Sequence, residues 1–308
     1  MVCSLELKSL DGIKQGEKKM VKKKVTKYVV GDVYSLVDEF LSKHRKENFK
    51  ITDIEFSNLG AQGREPLFDA TYSKKGTIMA YWKDELQNCI VITAPEPGYE
   101  IKAPKCLWHF FDEQKNSCFH PTYLDVSHLD VSNTTDFSYC FLLFGYSPRK
   151  KTKDVKIIGL ETWDVSNGKD FRNMFDRAFP FNESINLNLS SWRFSKREEI
   201  SFYEMFHCFG KQASKVILDI SGWDTTNVDS FAQMFKQFAF HAKTVELKGI
   251  EKWKMHNKMD VSRMFAKFAP NSDWYPNLSK WDMKGNLPYK HKEFAAGLFF
   301  KIREPEWI

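Results

Sequence analysis

The stretch from Val216 to Phe238 reads VILDISGWDTTNVDSFAQMFKQF, and it holds one whole copy of a repeat. Its parts are an alternating apolar run, a Trp-Asp-x-x-Asn turn and a Met-Phe pair. Tryptophans recur at steps of 29, 31, 30 and 28 residues, at Trp163, Trp192, Trp223, Trp253 and Trp281. Met-Phe pairs follow them and begin at Met174, Met205, Met234 and Met264. This period predicts a repeat architecture in which each unit buries its apolar face against its neighbours.

A residue that can cap a helix stands four positions before each methionine, or before Cys140 in the first copy. These residues are Asp136, Asp170, Ser201, Ser230 and Asp260. Apolar residues follow at intervals of three, four and seven, as in Phe231, Met234, Phe235 and Phe238. The caps and this spacing predict a short amphipathic helix in every unit.

A short alternating strand precedes each of four tryptophans, from Trp163 to Trp253. In two units the strand has one additional residue, which coincides with Gly159 or Gly249, and we expect a bulge or a widened turn there. The turn after the tryptophan carries Asp164 and Asn167 or their equivalents. Such side chains suit hydrogen bonds to the backbone, so we assign them to shaping the loop.

The residues before the repeats show a different pattern of apolar and polar side chains. An amphipathic helix is predicted from Asp32 to Glu47, and strand-like runs follow as far as Thr93. The sequence predicts two domains: a small α+β domain over residues 1–100, with a flexible basic N-terminal segment, and a repeat domain over residues 101–308 with capping ends. The predicted fold class is an α+β N-terminal domain followed by an α/β solenoid of leucine-rich-repeat type, with strand, turn and short helix recurring at a period of about 30.

Composition restricts the classes of protein that this chain can belong to. Of its 308 residues 42% are hydrophobic and 15% aromatic, which excludes a disordered chain. No apolar run is long enough to span a membrane, and the absence of a signal-like start favours the cytoplasm. The six cysteines include no CxxC pair and are expected to be reduced.

The net charge of +6 comes from two lysine-rich clusters, Lys18–Lys27 and Arg149–Lys153. A nucleic-acid-associated protein that uses the Lys18–Lys27 cluster is therefore an alternative. Neither cluster contains the interleaved aromatic residues that stack on bases, so a solvated surface is the favoured interpretation.

Four potential zinc ligands, Cys106, His109, Cys118 and His120, fall within fifteen residues. Their spacing matches no common zinc module, and the apolar run Leu107–Phe111 is typical of a segment that covers the open end of a repeat stack. We favour the capping interpretation and keep metal binding as the alternative. The sequence carries no P-loop, HExxH or dinucleotide motif, so we expect neither catalysis nor a cofactor.

Strand alternation places one set of side chains on the outer face of the predicted sheet. The candidate partner-binding residues are Lys156, Ile158, Asn186, Asn188, Ile217, Asp219, Glu246 and Lys248. Neighbouring strands about 4.8 Å apart would join them into one platform. Ile158 and Ile217, rimmed by polar groups, fit the centre of a protein interface, although an exposed isoleucine can also lack a function.

The strand, the turn Trp163-Asp164-Val165-Ser166-Asn167 and the predicted capped helix with Met-Phe resemble, over residues 124–290, the BspA-like leucine-rich repeats of bacterial surface and secreted proteins. The resemblance implies a right-handed repeat stack for adhesion or protein binding, and a surface or secreted location. Unit three, with Trp192-Arg193-Phe194, departs from the pattern. We expect a non-catalytic protein-protein interaction module, an effector or inhibitor that docks on a host or competitor protein. A cell-surface adhesin or host-interaction protein is the alternative.

Overall fold

The computed structural model describes residues 23–47, 49–112, 121–146, 153–196, 199–298 and 301–307. Within these ranges there is one α-helix, α1 (Val33–Lys43). Its N-cap is Asp32, whose side chain accepts a hydrogen bond from the Ser35 N–H at 3.2 Å. The helix predicted from Asp32 is thus confirmed, and it ends four residues earlier than Glu47. No helix of the described residues is long and apolar enough to cross a bilayer.

The described residues also contain fourteen short strands: β1 (Lys24–Val25), β2 (Asp53–Phe56), β3 (Phe68–Asp69), β4 (Met79–Trp82), β5 (Cys89–Thr93), β6 (Tyr99–Lys102), β7 (Tyr123–Asp125), β8 (Leu129–Asp130), β9 (Lys156–Ile158), β10 (Ser184–Asn188), β11 (Ile200–Ser201), β12 (Lys215–Asp219), β13 (Val228–Ser230) and β14 (Thr244–Lys248). Three 3-10 helices cover Leu160–Thr162, Ile250–Lys252 and Pro288–Lys290.

These strands form several sheets. The largest has the order β3-β4-β5-β2-β7-β9, and it joins strands from both sides of residue 100. A three-stranded parallel sheet has the order β10-β12-β14, and smaller sheets pair β1-β6-β8 and β11-β13. The division into domains at residue 100 remains a prediction, with one sheet running across that position.

Stacked tryptophans connect the consecutive repeats. From Trp163 to Trp281, neighbouring indole centroids lie 6.0 to 6.5 Å apart and their planes are within 8° of parallel. The indole Nε1 of Trp192 donates to the Leu160 carbonyl of the preceding repeat at 2.8 Å, and Trp223 does the same to Leu189. Each tryptophan therefore packs against its neighbours at a fixed height in the stack.

A phenylalanine column runs parallel to the tryptophans. Phe141, Phe175, Phe206 and Phe235 are all 0% exposed, and successive ring centroids lie 5.1, 5.4 and 5.8 Å apart with nearly parallel planes. Offset stacking of this kind adds to the free energy already gained by burying the rings.

The prediction of a short helix in every repeat is wrong. In these segments every fourth residue has a positive φ, as at Glu204 (54°) and Cys208 (55°). Alternate N–H groups donate to the following repeat, from Phe202 to the Ser230 carbonyl at 2.8 Å and from Phe206 to the Met234 carbonyl at 3.0 Å. An α-helix would satisfy these groups four residues back in its own chain. Each segment is instead a series of tight turns, and we call the hydrogen-bonded set of segments the turn ladder.

The residues predicted as helix caps begin the turn ladder. Asp136, Asp170 and Ser201 form parallel bridges from one repeat to the next. The Asp170 Oδ1 accepts the Arg172 N–H at 3.0 Å, and the Ser201 Oγ accepts the Tyr203 N–H at 3.4 Å. Their side chains therefore close local Asx and Ser turns by accepting a hydrogen bond from the N–H two residues later. These turns favour the same residue types as a helix N-cap.

The fold class predicted from the sequence, including the α/β solenoid of leucine-rich-repeat type, is therefore wrong. The described residues form mostly small sheets, the repeats contain no α-helix there, and no sheet runs through all the repeats. The physical reason is that backbone groups of one repeat find their partners in the next, so that no repeat has to close hydrogen bonds within a helix.

Two glycines show how the longer units accommodate their additional residue. Gly159 and Gly249 have φ of 89° and 92°, and each is followed by a 3-10 helix. β12 and β14 pair without a register shift, so the additional residue makes a widened turn and not a bulge. The predicted turn hydrogen bonds are confirmed, since the Asp164 Oδ1 accepts the Ser166 N–H at 3.0 Å.

Candidate partner-binding surface

The eight side chains predicted to bind a partner lie on strands and alternate with buried residues. Five are exposed, namely Lys156, Ile158, Asn186, Asn188 and Lys248. Three are half-buried, namely Ile217, Asp219 and Glu246. Their outward position therefore agrees with the strand register predicted from the sequence.

The structure places these eight residues in two sheets. Lys156 and Ile158 belong to β9, at the edge of the six-stranded sheet, and the other six belong to β10, β12 and β14. Among the described strands β9 pairs with β7, β10 pairs with β12, and no pairing joins β9 to β10. A cleft of about 290 Å³ lies between β9 and β10 and is lined partly by Ile158 and Asn186. The single platform expected from the sequence is thus two plates, the β9 plate and the three-strand plate.

Asn182 also lines this cleft. Its side chain is 6% exposed, its Oδ1 accepts the Val155 N–H at 3.3 Å, and its Nδ2 donates to the Val155 carbonyl at 2.8 Å. The amide therefore takes the place of a neighbouring strand where the sheet is interrupted. The sequence interpretation missed this residue, because a single asparagine before a strand resembles an ordinary turn residue.

We expect Asn182→Ala to lower the free energy of unfolding by about 2 kcal/mol, because it leaves the buried N–H and C=O of Val155 unpaired. Denaturation in urea measures the change. Asn271→Ala is the matched control: this exposed residue donates one hydrogen bond, to the Phe240 carbonyl, and should change stability by less than about 0.5 kcal/mol. Equal losses in the two variants would show that Asn182 has no special role.

The three-strand plate is arranged in transverse rows. One row holds Ser184, Lys215 and Thr244, the next Asn186, Ile217 and Glu246, and the last Asn188, Asp219 and Lys248. In the last row the carboxyamide of Asn188 accepts the Ser190 N–H and the carboxylate of Asp219 accepts the Ser221 N–H, both at 3.0 Å. Two of the predicted binding residues therefore also end their strands, a role that the Asx-x-Ser spacing could have revealed. In the middle row Ile217 lies between Asn186 and Glu246.

On the β9 plate, charged side chains of both signs lie near Ile158, which is 38% exposed. Asp125 lies beside Ile158 on β7, and Glu55 lies beside Asp125 on β2. Lys83 forms an ion pair with Glu55, and this hydrogen bond raises the pKa of the lysine. Burial raises the pKa of Asp53 in the adjacent row. An exposed isoleucine among charged groups of both signs suits a partner patch that is apolar at its centre and charged at its rim.

The predicted zinc ligands have protein partners where they are described. The Cys106 thiol donates to the Asp136 carboxylate at 3.1 Å. His109 pairs with Asp112, and its ring stacks on Tyr139 at 4.9 Å. Cys118 and His120 lie outside the described residues. The neighbouring Leu107 and Phe111 are 0% exposed and belong to the core, as the capping interpretation requires.

The basic N-terminal cluster is described in part. The Lys24 ammonium lies 5.6 Å from the Tyr99 ring centroid, and that of Lys27 lies 5.3 Å from the Tyr28 ring centroid. These cation-π contacts engage two of the lysines with the protein itself. Lys18, Lys19 and Lys22 lie outside the described residues, as do Arg149, Lys150 and Lys151 of the second cluster.

Comparisons with known proteins give one result. No curated protein and no solved structure matches the chain significantly. One family model matches residues 116–207 and again residues 148–281. The two matches together cover more than half of the chain and include every tryptophan of the repeat from Trp163 to Trp281. The chain therefore belongs to the family described as Mycoplasma protein of unknown function, DUF285.

Proposed function

We propose that this chain is a non-catalytic protein-binding module whose partner docks on the three-strand plate and the adjacent β9 plate. The observation that carries the proposal is the in-register pairing of β10, β12 and β14, which aligns Asn186, Ile217 and Glu246 in one outward row. Mixed polar groups around an apolar centre are typical of protein interfaces.

Rigidity supports this use. The inner side chains of the three-strand plate, Ile185, Val216 and Val245 among them, are buried in the core. Behind them the stacked tryptophans connect each strand to its neighbours. A surface that is already ordered loses little conformational entropy when a partner binds, so modest contacts can give useful affinity.

The resemblance of the repeats to BspA-like proteins also favours binding to another protein. We infer a role as an effector or inhibitor that docks on a host or competitor protein. An adhesin would use the same two plates from the cell surface. Labelling of intact cells with an antibody against the chain separates the two uses, because only a surface protein would be labelled without permeabilisation.

Site-directed photo-crosslinking tests the proposal. A photoreactive amino acid at Asn186, on the three-strand plate, should give a discrete protein adduct in extracts of producing cells. The same amino acid at Lys211, which is exposed and lies outside both plates, should not give this adduct. Identical adducts from both positions would contradict the assignment of the surface. An adduct destroyed by nuclease would point to nucleic-acid binding instead.

We expect Ile158→Asp combined with Ile217→Asp to abolish partner binding, because two charges would enter the apolar centres of the plates. The readout is competition: excess purified wild-type protein should suppress the Asn186 adduct, and the double variant should not. Its melting temperature should fall by less than about 5 °C, since neither isoleucine is in the core.

The matched control for this double variant is Leu59→Asp with Leu287→Asp. These leucines are 60% and 50% exposed and lie outside both plates, so this variant should compete as well as the wild type. If the folded Ile158→Asp, Ile217→Asp variant competes equally well, the two plates are not the binding surface.

A further inference from the structure

Three side chains with metal-ligating atoms meet on the turn ladder. A carboxylate oxygen of Asp176, one of Glu204 and a ring nitrogen of His207 all lie within 4.8 Å of one another. Asp176 is 3% exposed and His207 is 8% exposed, whereas Glu204 is half-buried. The cluster therefore lies just below the surface, with Glu204 on its outer side.

Two titratable side chains are buried next to each other at this height of the turn ladder. The positions equivalent to Asp176 and His207 are occupied in other repeats by Leu142 and Ala266, which are buried, and by Lys236, which is half-buried. Burial of a carboxylate and an imidazole is unfavourable unless they are paired or bind a ligand. Two consecutive repeats thus each contribute a buried titratable group to the same place.

The backbone holds the two repeats at a fixed spacing here. The Asn173 N–H donates to the Tyr203 carbonyl at 3.0 Å, and the Arg177 N–H donates to the His207 carbonyl at 2.8 Å. The ligating side chains therefore start from backbone positions that are already set. Preorganisation of this kind is what a metal site needs, because the ligands do not have to be ordered when the ion binds.

Asn173 provides an independent indication of a ligand. It is 4% exposed, and its Nδ2 lies 2.8 Å from the Glu204 Oε2 and 3.4 Å from the Asp176 Oδ2. Its Oδ1 has no hydrogen-bond partner. A half-turn of the amide would bring this oxygen to face the two carboxylates, an arrangement that a cation or a proton between the oxygens stabilises.

We propose that Asp176, Glu204 and His207 bind a Zn²⁺ ion, with the Asn173 carbonyl oxygen as a fourth ligand. Imidazole nitrogen and carboxylate oxygen are common zinc ligands, and four ligands satisfy a tetrahedral ion. Among first-row divalent metals a site of one imidazole and three oxygens, buried and without a redox role, suits zinc. The ion would connect two consecutive repeats and would be independent of partner binding on the plates.

The competing occupant is a proton. His207 Nδ1 lies 2.9 Å from the Asp176 Oδ1, and the Arg177 guanidinium lies 3.4 Å from the Asp176 Oδ2. A protonated imidazole and this arginine would together balance the two carboxylates without a metal. Zinc binding therefore requires that the ion displace the proton shared by His207 and Asp176.

Metal titration of the full chain tests the proposal. After removal of metals with a chelator, zinc-buffered dialysis followed by elemental analysis should show one tightly held ion per chain and a higher melting temperature. Glu204→Gln and His207→Gln should each weaken zinc binding by at least about 100-fold, since loss of a direct ligand exceeds the effect of losing its supporting group. His128→Gln is the matched control, because His128 pairs with Glu100 at 3.2 Å outside the cluster. This control should retain wild-type affinity.

X-ray absorption of the zinc-loaded wild-type chain keeps the test decisive if a variant fails to fold. Ligands of nitrogen and oxygen only, at about 2.0–2.2 Å, would support the site. A sulfur shell at about 2.3 Å would put a cysteine among the ligands, and Cys208, whose Sγ lies 3.3 Å from the His207 Nε2, is the nearest; this result would overturn the proposed ligand set. A wild-type chain that holds no zinc above the concentration in the dialysis buffer would show that a proton fills the cluster, and this outcome would also overturn the proposal.

Discussion

Phe206→Ala is expected to lower the free energy of unfolding by about 3 to 5 kcal/mol, which is typical of deleting a buried phenylalanine. The Phe206 ring is 0% exposed and lies between Phe175 at 5.4 Å and Phe235 at 5.8 Å, with all three planes nearly parallel. The substitution leaves a cavity in the middle of the column, where the backbone of the turn ladder restrains collapse. Denaturation monitored by circular dichroism measures the loss.

Phe240→Ala is the control for this prediction. Phe240 is half-buried in a loop and packs against His241, so its removal should cost clearly less than the removal of Phe206. Unfolding curves that coincide for the two variants would show that the phenylalanine column does not stabilise the protein.

Gly159→Ala is expected to destabilise the protein by about 3 kcal/mol or more. Gly159 has a φ of 89°, and an added Cβ would lie 2.3 Å from the backbone nitrogen of Ser127. The obstacle is backbone in the neighbouring repeat, so no side chain can rotate away to relieve it. The substitution should push apart the two repeats that meet at this turn, and the same denaturation measurement reports it.

Gly98→Ala separates the two causes of this effect. Gly98 has a φ of 87°, close to that of Gly159, but an added Cβ would meet no atom within 4 Å. Its substitution should therefore cost only the backbone strain, about 1 kcal/mol. If Gly159→Ala costs no more than Gly98→Ala, the close approach of the repeats at Ser127 is not a constraint on the fold.

The prediction of helices in the repeats was wrong because the side-chain pattern on which it rested fits two different backbones. Phe202, Met205, Phe206 and Phe209 are all 0% exposed, so the apolar spacing identified one buried face correctly. Turns of four residues return side chains to the same face at nearly the same intervals as a helix of 3.6 residues per turn. A residue such as Asp136 or Ser201 can close an Asx or Ser turn, and the same residue type can cap a helix. Spacing and caps together therefore could not distinguish the two backbones.

The candidate surface was predicted in part. Alternation along β10, β12 and β14 correctly placed Asn186, Ile217 and Glu246 on the outer face. The interruption between β9 and β10 was not predicted, because the alternation in both strands is equally regular. The zinc candidates in the sequence were neighbours along the chain, whereas Asp176, Glu204 and His207 come together from two repeats.

The sequence by itself determined the repeat, the buried residues of each unit and the turns at the tryptophans, because these depend on the chemistry and spacing of side chains within one unit. Only the tertiary structure decided the backbone of the turn ladder, the separation of the two plates and the polar cluster around His207. Each of these depends on where a backbone N–H or a buried side chain finds its partner, and that partner lies in the neighbouring repeat, about thirty residues away in the chain.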